Sequence, residues 1–491
     1  MLADAFGYAD FRPGQAELID IVLAGRDCIG VMPTGAGKSL TYQIPARILP
    51  GTVLVVSPLI SLMKDQVDAL IRNGFRATVL NSSLDWETRR ERLRGVRAGE
   101  YELVYVAPEG LEGSLRELIG QIDVSLVAVD EAHCISEWGH DFRPAYRRLR
   151  GLKQELGGVP ILALTATATR RVAADVIRQL GMQKPGGFKG SFFRPNLIVS
   201  AHKKGDKRGT RQDLLAYVRG RAASGASGII YGLSRRNVDS LADFLVRGGV
   251  KAVPYHAGLA DDVRARHQEM FARDEVDVVV ATIAFGMGID KSNVRYVIHR
   301  EMPRSIENYY QEIGRAGRDG LPSDCILLYS WADVLSHRRF QEHIDDDAVR
   351  RDAENKSVAM FRLAEADGCR QRNLVAYFDE SIDPCAESCD HCRGVTAAEL
   401  LRAHAAPKRA LRFEPPPTDV DDALFQRLRA LRRELADAEG VPAYIVFSDA
   451  VLTRMAAERP TDEASLLAIS GVGPSKLARY GEAFLRELRE G

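Results

Sequence analysis

Residues Cys28–Ser39, with the sequence CIGVMPTGAGKS, give the strongest indication of the fold of the first part of this chain. The first four residues are apolar and predict a strand, and a helical pattern follows the glycine loop. Backbone N–H groups in such a loop point inward and bind phosphate oxygens. Lys38 is placed to reach the β- and γ-phosphates of a nucleotide, and Ser39 is placed to ligate Mg²⁺. Met32 stands where the strict pattern has its first glycine, so a chance glycine turn is the alternative. The residues predicted to bind the triphosphate are Thr34, Gly35, Ala36, Gly37, Lys38 and Ser39.

A second segment, Asp130-Glu131-Ala132-His133, ends another apolar strand, Ser125–Val129. Asp130 can hold Mg²⁺, and Glu131 can polarise the attacking water. The strand context of both segments argues against chance. Together they predict hydrolysis of a nucleoside triphosphate by positioning and electrostatics.

Composition limits the classes of protein that remain. A chain of 491 residues is too long for one core, so three or four domains are expected. Lys plus Arg equals Asp plus Glu, 67 each, so a nucleic-acid binder must concentrate its positive charge locally. No apolar run is long enough to cross a bilayer, and the N-terminal residues do not resemble a signal peptide. We therefore expect a cytosolic protein without a membrane partner.

Short apolar runs alternate with helical stretches twice along the chain, which predicts an α/β fold with two parallel sheets covered by helices. A charged helical stretch, a proline-containing linker and an all-α domain follow. The predicted domains are 1–195, 196–335, 336–395, the linker 396–418, and 419–491. The predicted strands are Cys28–Val31, Val53–Ser57, Leu103–Val106, Ser125–Val129, Ile161–Thr165, Gly228–Tyr231, Ala252–Tyr255, Val276–Ala281, Tyr296–His299 and Cys325–Leu328.

The seven cysteines fall into two groups. Four are clustered with C-x₁₅-C-x₃-C-x₂-C spacing, which in a cytosolic protein indicates a metal rather than disulfides. Zn²⁺ prefers four thiolates in a tetrahedron, although His391 lies between two of the cysteines and could substitute for one. The predicted zinc ligands are Cys369, Cys385, Cys389 and Cys392. The scattered cysteines, predicted to be core side chains, are Cys28, Cys134 and Cys325.

An aromatic and polar segment, Phe6–Gln15, precedes the phosphate loop. The amide of Gln15 can make a bidentate contact with N6 and N7 of adenine. Tyr8 and Arg12 can sandwich the base by stacking and a cation–π contact. The segment therefore predicts selection of ATP.

Arg315 and Arg318 lie three residues apart within Glu307–Gly320, which predicts that they share one face of a helix. Planar guanidinium groups suit the charge that develops on a γ-phosphate, and such fingers can be worth ~10³–10⁵ in rate. The alternative is a surface helix with two solvated arginines. The flanking glycines argue for a close backbone approach instead.

The segment Cys134–Pro144 is rich in aromatic residues. Trp138 and Phe142 offer flat faces to unpaired bases, at ~1–3 kcal/mol per stacked base. Arg143 can pair with a phosphate or with the hydrolysis site, and His140 can sense the nucleotide. The alternative is an apolar loop packed between domains.

Taken in order, these motifs resemble those of the RecQ family of superfamily 2 DNA helicases over the whole chain. The aromatic segment resembles the loop that links DNA binding to ATP hydrolysis in that family, and 419–491 is similar to an HRDC domain. The matching segments are 6–15, 33–39, 57–62, 130–133, 134–144, 164–168, 281–290 and 307–320.

The resemblance implies an ATP-dependent 3′→5′ DNA helicase that translocates on single-stranded DNA and unwinds duplex or branched DNA in recombination and repair. ATP and Mg²⁺ are expected between two RecA-like domains, with Glu131 as the general base, and Zn²⁺ in the cysteine module. A monomer in the cytoplasm at the nucleoid is expected, with replication or repair proteins as possible partners. The residues implied to complete the nucleotide site are Gln311, Arg315, Arg318, Gly288 and Asp290.

The chain departs from the family in two features: one extra residue precedes Cys389 in the cysteine spacing, and a whole domain is missing. Most members carry a winged-helix domain between the zinc module and the HRDC domain, and here only a short segment separates Cys392 from the first HRDC helix. The missing domain removes the family's usual duplex-binding surface. The alternative function is therefore an ATP-gated DNA clamp or remodeller that unwinds little.

Overall fold

The computed structural model describes all residues except 1, 59, 82–83, 140, 205–209, 286–290, 398, 400, 402–421, 440 and 490–491. The chain forms two compact units, Met1–Phe192 and Phe193–Gly491. Among the described residues, no helix is long and apolar enough to cross a membrane.

The described part of the first unit contains a seven-stranded sheet with the order β3-β4-β2-β5-β6-β1-β7, in which every pair is parallel. The central strands are buried along their whole length, as expected when helices cover both faces of a sheet. The strands are β1 (Cys28–Val31), β2 (Thr52–Val56), β3 (Ala77–Leu80), β4 (Leu103–Val106), β5 (Val124–Val129), β6 (Ile161–Thr165) and β7 (Gly186–Lys189). The helices are α1 (Gln15–Leu23), α2 (Leu40–Ile48), α3 (Ile60–Arg72), α4 (Trp86–Arg97), α5 (Gly113–Ile119), α6 (Leu152–Glu155) and α7 (Arg170–Gln179).

The second unit begins with another parallel sheet, of six described strands in the order β10-β11-β9-β12-β13-β8. Its strands are β8 (Leu197–Lys203), β9 (Ser227–Tyr231), β10 (Ala252–Tyr255), β11 (Val278–Ala281), β12 (Val294–His299) and β13 (Ser323–Tyr329). Its helices are α8 (Thr210–Ala223), α9 (Arg235–Arg247), α10 (Asp261–Ala272) and α11 (Ile306–Ile313).

A helical module covers the edge strand β8. The backbone N–H of Val199 donates to Ser388 O at 3.0 Å, and the Gln371 amide donates to Leu197 O at 2.8 Å. These bonds satisfy an edge that would otherwise be open to pairing with another chain. The helices of this module are α12 (Trp331–Gln341), α13 (Asp347–Glu365), α14 (Arg370–Ala376) and α15 (Asp390–Arg393).

The C-terminal helices have their own apolar core, which includes Leu428, Phe447 and Phe484. Arg429 on the first of them donates to Gly225 O of the preceding domain, and Arg433 donates to Asp274 O. The helices are α16 (Asp422–Glu439), α17 (Ala443–Val446), α18 (Asp449–Glu458), α19 (Glu463–Leu467) and α20 (Pro474–Arg489).

The fold class predicted from the sequence is confirmed. All ten predicted strands coincide with observed strands to within two residues at each end. Strands β3, β7 and β8 were not predicted, and β7 (GGFK) carries two glycines, a residue type that is depleted in strands. Most of the predicted linker, from 402 onward, lies outside the described residues.

Candidate nucleotide and nucleic-acid site

The phosphate loop joins the carboxyl end of β1 to α2, as the sequence predicts. Gly35 and Gly37 have φ of 85° and 75°, a left-handed backbone that favours glycine. The Gln15 amide nitrogen donates to Ala36 O at 3.0 Å and to Gly37 O at 2.9 Å. Arg12 donates to Gly35 O. In this structure Gln15 and Arg12 therefore hold the loop, and Tyr8 is exposed. The contact of these three residues with adenine stays a prediction.

The acidic pair lies at the same edge of the sheet. Strand β6 separates β1 from β5, and the N–H of Met32 donates to Thr165 O at 2.9 Å. The carboxyl ends of parallel strands form the usual ligand edge of such a sheet. Lys38 Nζ lies 3.9 Å from Glu131 Oε1, so the structure brings the loop lysine and the acidic pair together.

Glu131 is held in a strained backbone. Its φ is 46°, a left-handed value that costs a non-glycine residue about 1–3 kcal/mol. Tyr146 donates its hydroxyl hydrogen to Asp130 O at 2.9 Å. His133 Nδ1 lies 2.9 Å from Thr165 Oγ1 and 3.3 Å from Glu131 Oε2. His133 therefore lies beside the Glu131 carboxylate, and Tyr146 fixes the backbone that precedes it. Backbone strain of this kind is typical of functional sites.

Asp130 is almost completely buried. Burial raises its pKa to about 6, the neighbouring Glu131 charge adds to the rise, and Lys38 lowers it. The cost of holding this carboxylate without a cation is a physical argument for a metal there, because Mg²⁺ prefers carboxylate and hydroxyl oxygens. The Ser39 hydroxyl accepts from the Gln66 amide at 3.2 Å and could supply the second ligand.

The aromatic segment follows Glu131 directly. Trp138 is 37% exposed, and the Arg171 guanidinium carbon lies 3.4 Å from the centre of its ring. Phe142 has Arg147 over its ring at 5.0 Å. Arg143 Nε donates to Asp141 at 3.1 Å. His140, predicted in the same aromatic segment as a residue that can sense the nucleotide, lies outside the described residues.

In the second unit, the position of the two arginines corrects one prediction. Helix α11 ends at Ile313, so Arg315 and Arg318 lie in the turns that follow it, not on one helical face. Gly317 has φ 55°, and the side chain of Arg194 donates to Gly314 O, Ala316 O and Gly317 O. These bonds replace helical ones and fix the turn.

Of the other residues predicted in this unit, Gln311 lies on α11. Gly288 and Asp290 lie outside the described residues. Arg315 is buried, with 8% of its surface exposed. The solvated-arginine alternative therefore fails for Arg315.

The four clustered cysteines converge as predicted. The sulfur atoms of Cys369, Cys385, Cys389 and Cys392 all lie within 4.8 Å of one another. A tetrahedral site with Zn–S bonds of about 2.3 Å needs sulfurs close to that spacing. Burial raises the pKa of Cys369, but N–H groups of Arg372 and Cys385 outweigh it and lower the pKa to about 7, which favours the thiolate. The four sulfurs fit Zn²⁺ without His391.

The three remaining cysteines are buried in or beside strands, as predicted.

Several site residues had no sequence signal of their own. Tyr146, Gln66 and Arg171 reach the site from elements outside the quoted motifs. Only His133, within the acidic segment, could have been noticed from its position.

Comparison with protein families first defines the class. Residues 12–176 match the DEAD/DEAH box helicase model, and 209–320 match the helicase conserved C-terminal domain. Residues 331–393 match the RecQ zinc-binding model, and 421–488 match the HRDC domain. The two sheets with their phosphate loop and acidic pair thus form a DEAD/DEAH-type helicase core with RecA-like domains.

The chain belongs to the RecQ family. The ATP-dependent DNA helicase RecQ of Pasteurella multocida is 38% identical, with 100% of this chain and 93% of the relative covered. The RecQ of Bacillus subtilis is 37% identical, with 100% and 98% covered. The yeast ATP-dependent helicase SGS1 is 39% identical over 80% of this chain and 28% of its own length.

Among solved structures, Mycobacterium smegmatis helicase Lhr bound to ssDNA and AMP-PNP matches with a TM-score of 0.53 at 18% identity, covering 92% of this chain and 72% of that one. At this identity the likeness shows the fold alone.

The Pasteurella alignment extends over 593 positions and this chain has 491 residues, so at least 102 positions of the relative have no counterpart here. The zinc-binding match ends at 393 and the HRDC match begins at 421, which is consistent with a missing winged-helix domain.

Proposed function

We propose that this protein is an ATP-dependent DNA helicase that moves 3′→5′ on single-stranded DNA and unwinds duplex or branched DNA in recombination and repair. The observation that carries the proposal is the approach of Lys38 to the acidic pair Asp130 and Glu131, with a strained Glu131 backbone. Polarity and biological role rest on the family resemblance. We also propose that the protein acts as a monomer in the cytoplasm, at the nucleoid.

Each residue of the hydrolysis site has a distinct proposed role. Lys38 stabilises charge on the transferring phosphate, and Glu131 orients and deprotonates the attacking water. Ser39 and Asp130 hold Mg²⁺, which when bound neutralises charge on the β- and γ-phosphates. Gln311, Arg315 and Arg318 act on the γ-phosphate from the second helicase domain, in the same proposal.

DNA is proposed to bind across the aromatic segment. Trp138 and Phe142 present rings on which unpaired bases can stack, while Arg143 can pair with a phosphate. Arg171 covers the Trp138 ring in this structure. We propose that it moves off the ring when a base stacks there, so that the loop has a DNA-free and a DNA-bound arrangement. Such a two-state element is what coupling between DNA binding and hydrolysis requires.

The cysteine cluster is proposed to hold Zn²⁺ in a structural role. Four sulfurs complete the tetrahedron, so no open position remains for water or substrate. The metal then stabilises the module that covers β8 and takes no part in hydrolysis.

The proposal is tested by strand displacement on a duplex with a 3′ tail, run beside ATP hydrolysis. Lys38→Ala and Glu131→Gln should both reduce DNA-stimulated hydrolysis to near background, and Glu131→Gln should still bind ATP. The control Glu117→Gln changes an exposed glutamate on α5 and should behave as wild type. Wild-type turnover in either site variant would contradict the assigned site.

The same assay separates the helicase from the ATP-gated clamp. If the protein is a clamp, DNA should stimulate ATP hydrolysis without strand displacement. The observation that favours a clamp is that the chain lacks at least 102 positions present in the Pasteurella relative. Without a winged helix, a helicase should bind in proportion to the length of single-stranded tail. Blunt duplex bound as tightly as tailed DNA would contradict this. Binding should also weaken steeply with salt, because phosphate contacts release counterions.

A further inference from the structure

A buried aromatic pair lies beside the arginine turn of the second unit. Tyr231 ends β9 and His299 ends β12, and the two residues face each other in the parallel register of these strands. Their rings stack with centroids 5.3 Å apart and planes 19° apart. Both side chains are almost fully buried, at 3% and 1% exposure. The pair lies at the carboxyl edge of the sheet, where ligands of such folds bind.

Hydrogen bonds connect this pair to two functional segments. His299 Nε2 lies 2.7 Å from the buried Glu312 Oε2, on the helix α11 that leads into the arginine turn. The Tyr231 hydroxyl donates to Phe285 O at 2.9 Å. Phe285 immediately precedes 286–290 in the chain, the segment that includes Gly288 and Asp290. The stacked pair therefore links Phe285 to Glu312, a residue one turn before Arg315.

Arg315 completes the arrangement. Its backbone N–H donates to Glu312 O, and its side chain is buried with an Nε that makes no hydrogen bond to any described residue. Its charge also acts on the Tyr231 hydroxyl, lowering a pKa that burial raises. An arginine buried with an open donor is costly unless a ligand uses that donor.

We propose that Tyr231, His299 and Glu312 form a positioning network that holds Arg315 in the geometry required by the γ-phosphate. The inference rests on the proposed function, in which Arg315 acts on that phosphate. A purely structural role explains the arrangement less well, because phenylalanine would fill the Tyr231 site without burying a hydroxyl. The network acts through Arg315 and does not touch substrate.

The test removes the Tyr231 hydroxyl and keeps its ring. Tyr231→Phe in the full-length protein should lower kcat for ATP hydrolysis, at saturating single-stranded DNA, by about tenfold, the effect of losing roughly one buried hydrogen bond. KM for ATP should change by less than about twofold, because Arg315 is needed mainly in the transition state. The matched control is Tyr296→Phe, which removes a buried hydroxyl from the same sheet that has no hydrogen-bond partner among the described residues. Its kcat should equal that of wild type.

Arg315→Ala separates the inference from the proposed function. If Arg315→Ala hydrolyses ATP at the wild-type rate, the role of Arg315 is wrong and the network has nothing to position. If Arg315→Ala is strongly impaired while Tyr231→Phe is normal, or while Tyr296→Phe loses as much, only the positioning network is refuted. Support requires one further result, measured on the residual hydrolysis of Arg315→Ala: adding Tyr231→Phe should not lower this residual rate, because the two residues act as a unit. A further tenfold loss would refute the network. Melting temperatures of all variants show whether any loss reflects unfolding.

Discussion

Replacing Asp130 by asparagine should stabilise the nucleotide-free protein while abolishing its ATP hydrolysis. The side chain is 8% exposed, and its pKa rises from 3.8 to about 6 through burial and the Glu131 charge. A shift of this size corresponds to at most about 3 kcal/mol in the free energy of unfolding. Asparagine has the same shape and keeps the oxygen that accepts from the Glu131 N–H at 3.0 Å. It therefore removes the buried charge without opening a cavity.

The pH dependence gives the sign of this effect. Because the folded-state pKa of Asp130 lies above its unfolded value, the folded state binds more protons between about pH 4 and 6. The charge of Asp130 therefore destabilises the fold fully above about pH 6, and the penalty disappears below about pH 4. The advantage of Asp130→Asn should shrink over the same interval as pH falls.

Thermal unfolding from pH 4 to 8 is the assay. For a unit of this size, 1 kcal/mol corresponds to about 2–4 °C in melting temperature, so a rise of several degrees is expected at pH 7.5. The control Asp20→Asn changes an exposed aspartate on α1 and should leave the melting temperature unchanged. Adding Mg²⁺ with a non-hydrolysable ATP analogue should stabilise wild type more than Asp130→Asn. A variant that melts at or below wild type at pH 7.5 would refute the argument from burial.

Three further predictions concern the rest of the chain. Trp138→Ala should leave basal hydrolysis largely intact and blunt its stimulation by single-stranded DNA; Trp86→Ala, which removes another exposed tryptophan with an arginine over its ring, should keep full stimulation. Cys389→Ser should lower the zinc content and solubility, as measured by metal analysis, whereas Cys28→Ala should retain the zinc. Less than about half an equivalent of zinc in pure wild type would count against the site. Deleting 402–491 should preserve ATPase and tail-dependent unwinding, because the cut keeps Leu401 in the apolar core of the second helicase domain; a folded truncation without ATPase would contradict this.

The sequence predicted a strand or helix correctly where neighbouring residues alone favour it. Strands such as Ile161–Thr165 are continuous apolar runs with clear ends, so their limits were predicted to the residue. Strand β7 was not predicted, because Gly186 and Gly187 give no local preference for a strand. It forms because it pairs with β1. The strand lies so close to Ile21 that a Cβ atom added at Gly186 would be 2.8 Å from the Ile21 side chain.

The arginine turn shows why a correct motif can be given the wrong conformation. A spacing of three residues suits a helix, and the sequence predicted one through Arg318. The helix ends instead at Ile313, because Arg194, more than a hundred residues earlier in the chain, supplies hydrogen bonds to the carbonyl groups of the turn. Gly314 and Gly317 were a local signal for the end of the helix, but the role of Arg194 was not visible in any local pattern.

The chemistry of this protein could be inferred from the amino-acid sequence alone: the phosphate loop, the acidic pair, the four cysteines and the order of its domains. These depend on residue types at short spacings, which fix local backbone and ligand sets. The environment of each group came from the folded chain, such as the burial that raises the pKa of Asp130 and the contact of Tyr146 with the backbone there. Folding also brought Tyr231, His299 and Glu312 together beside Arg315. Burial and long-range hydrogen bonds depend on which distant segments pack together, so they become visible only when the chain is folded.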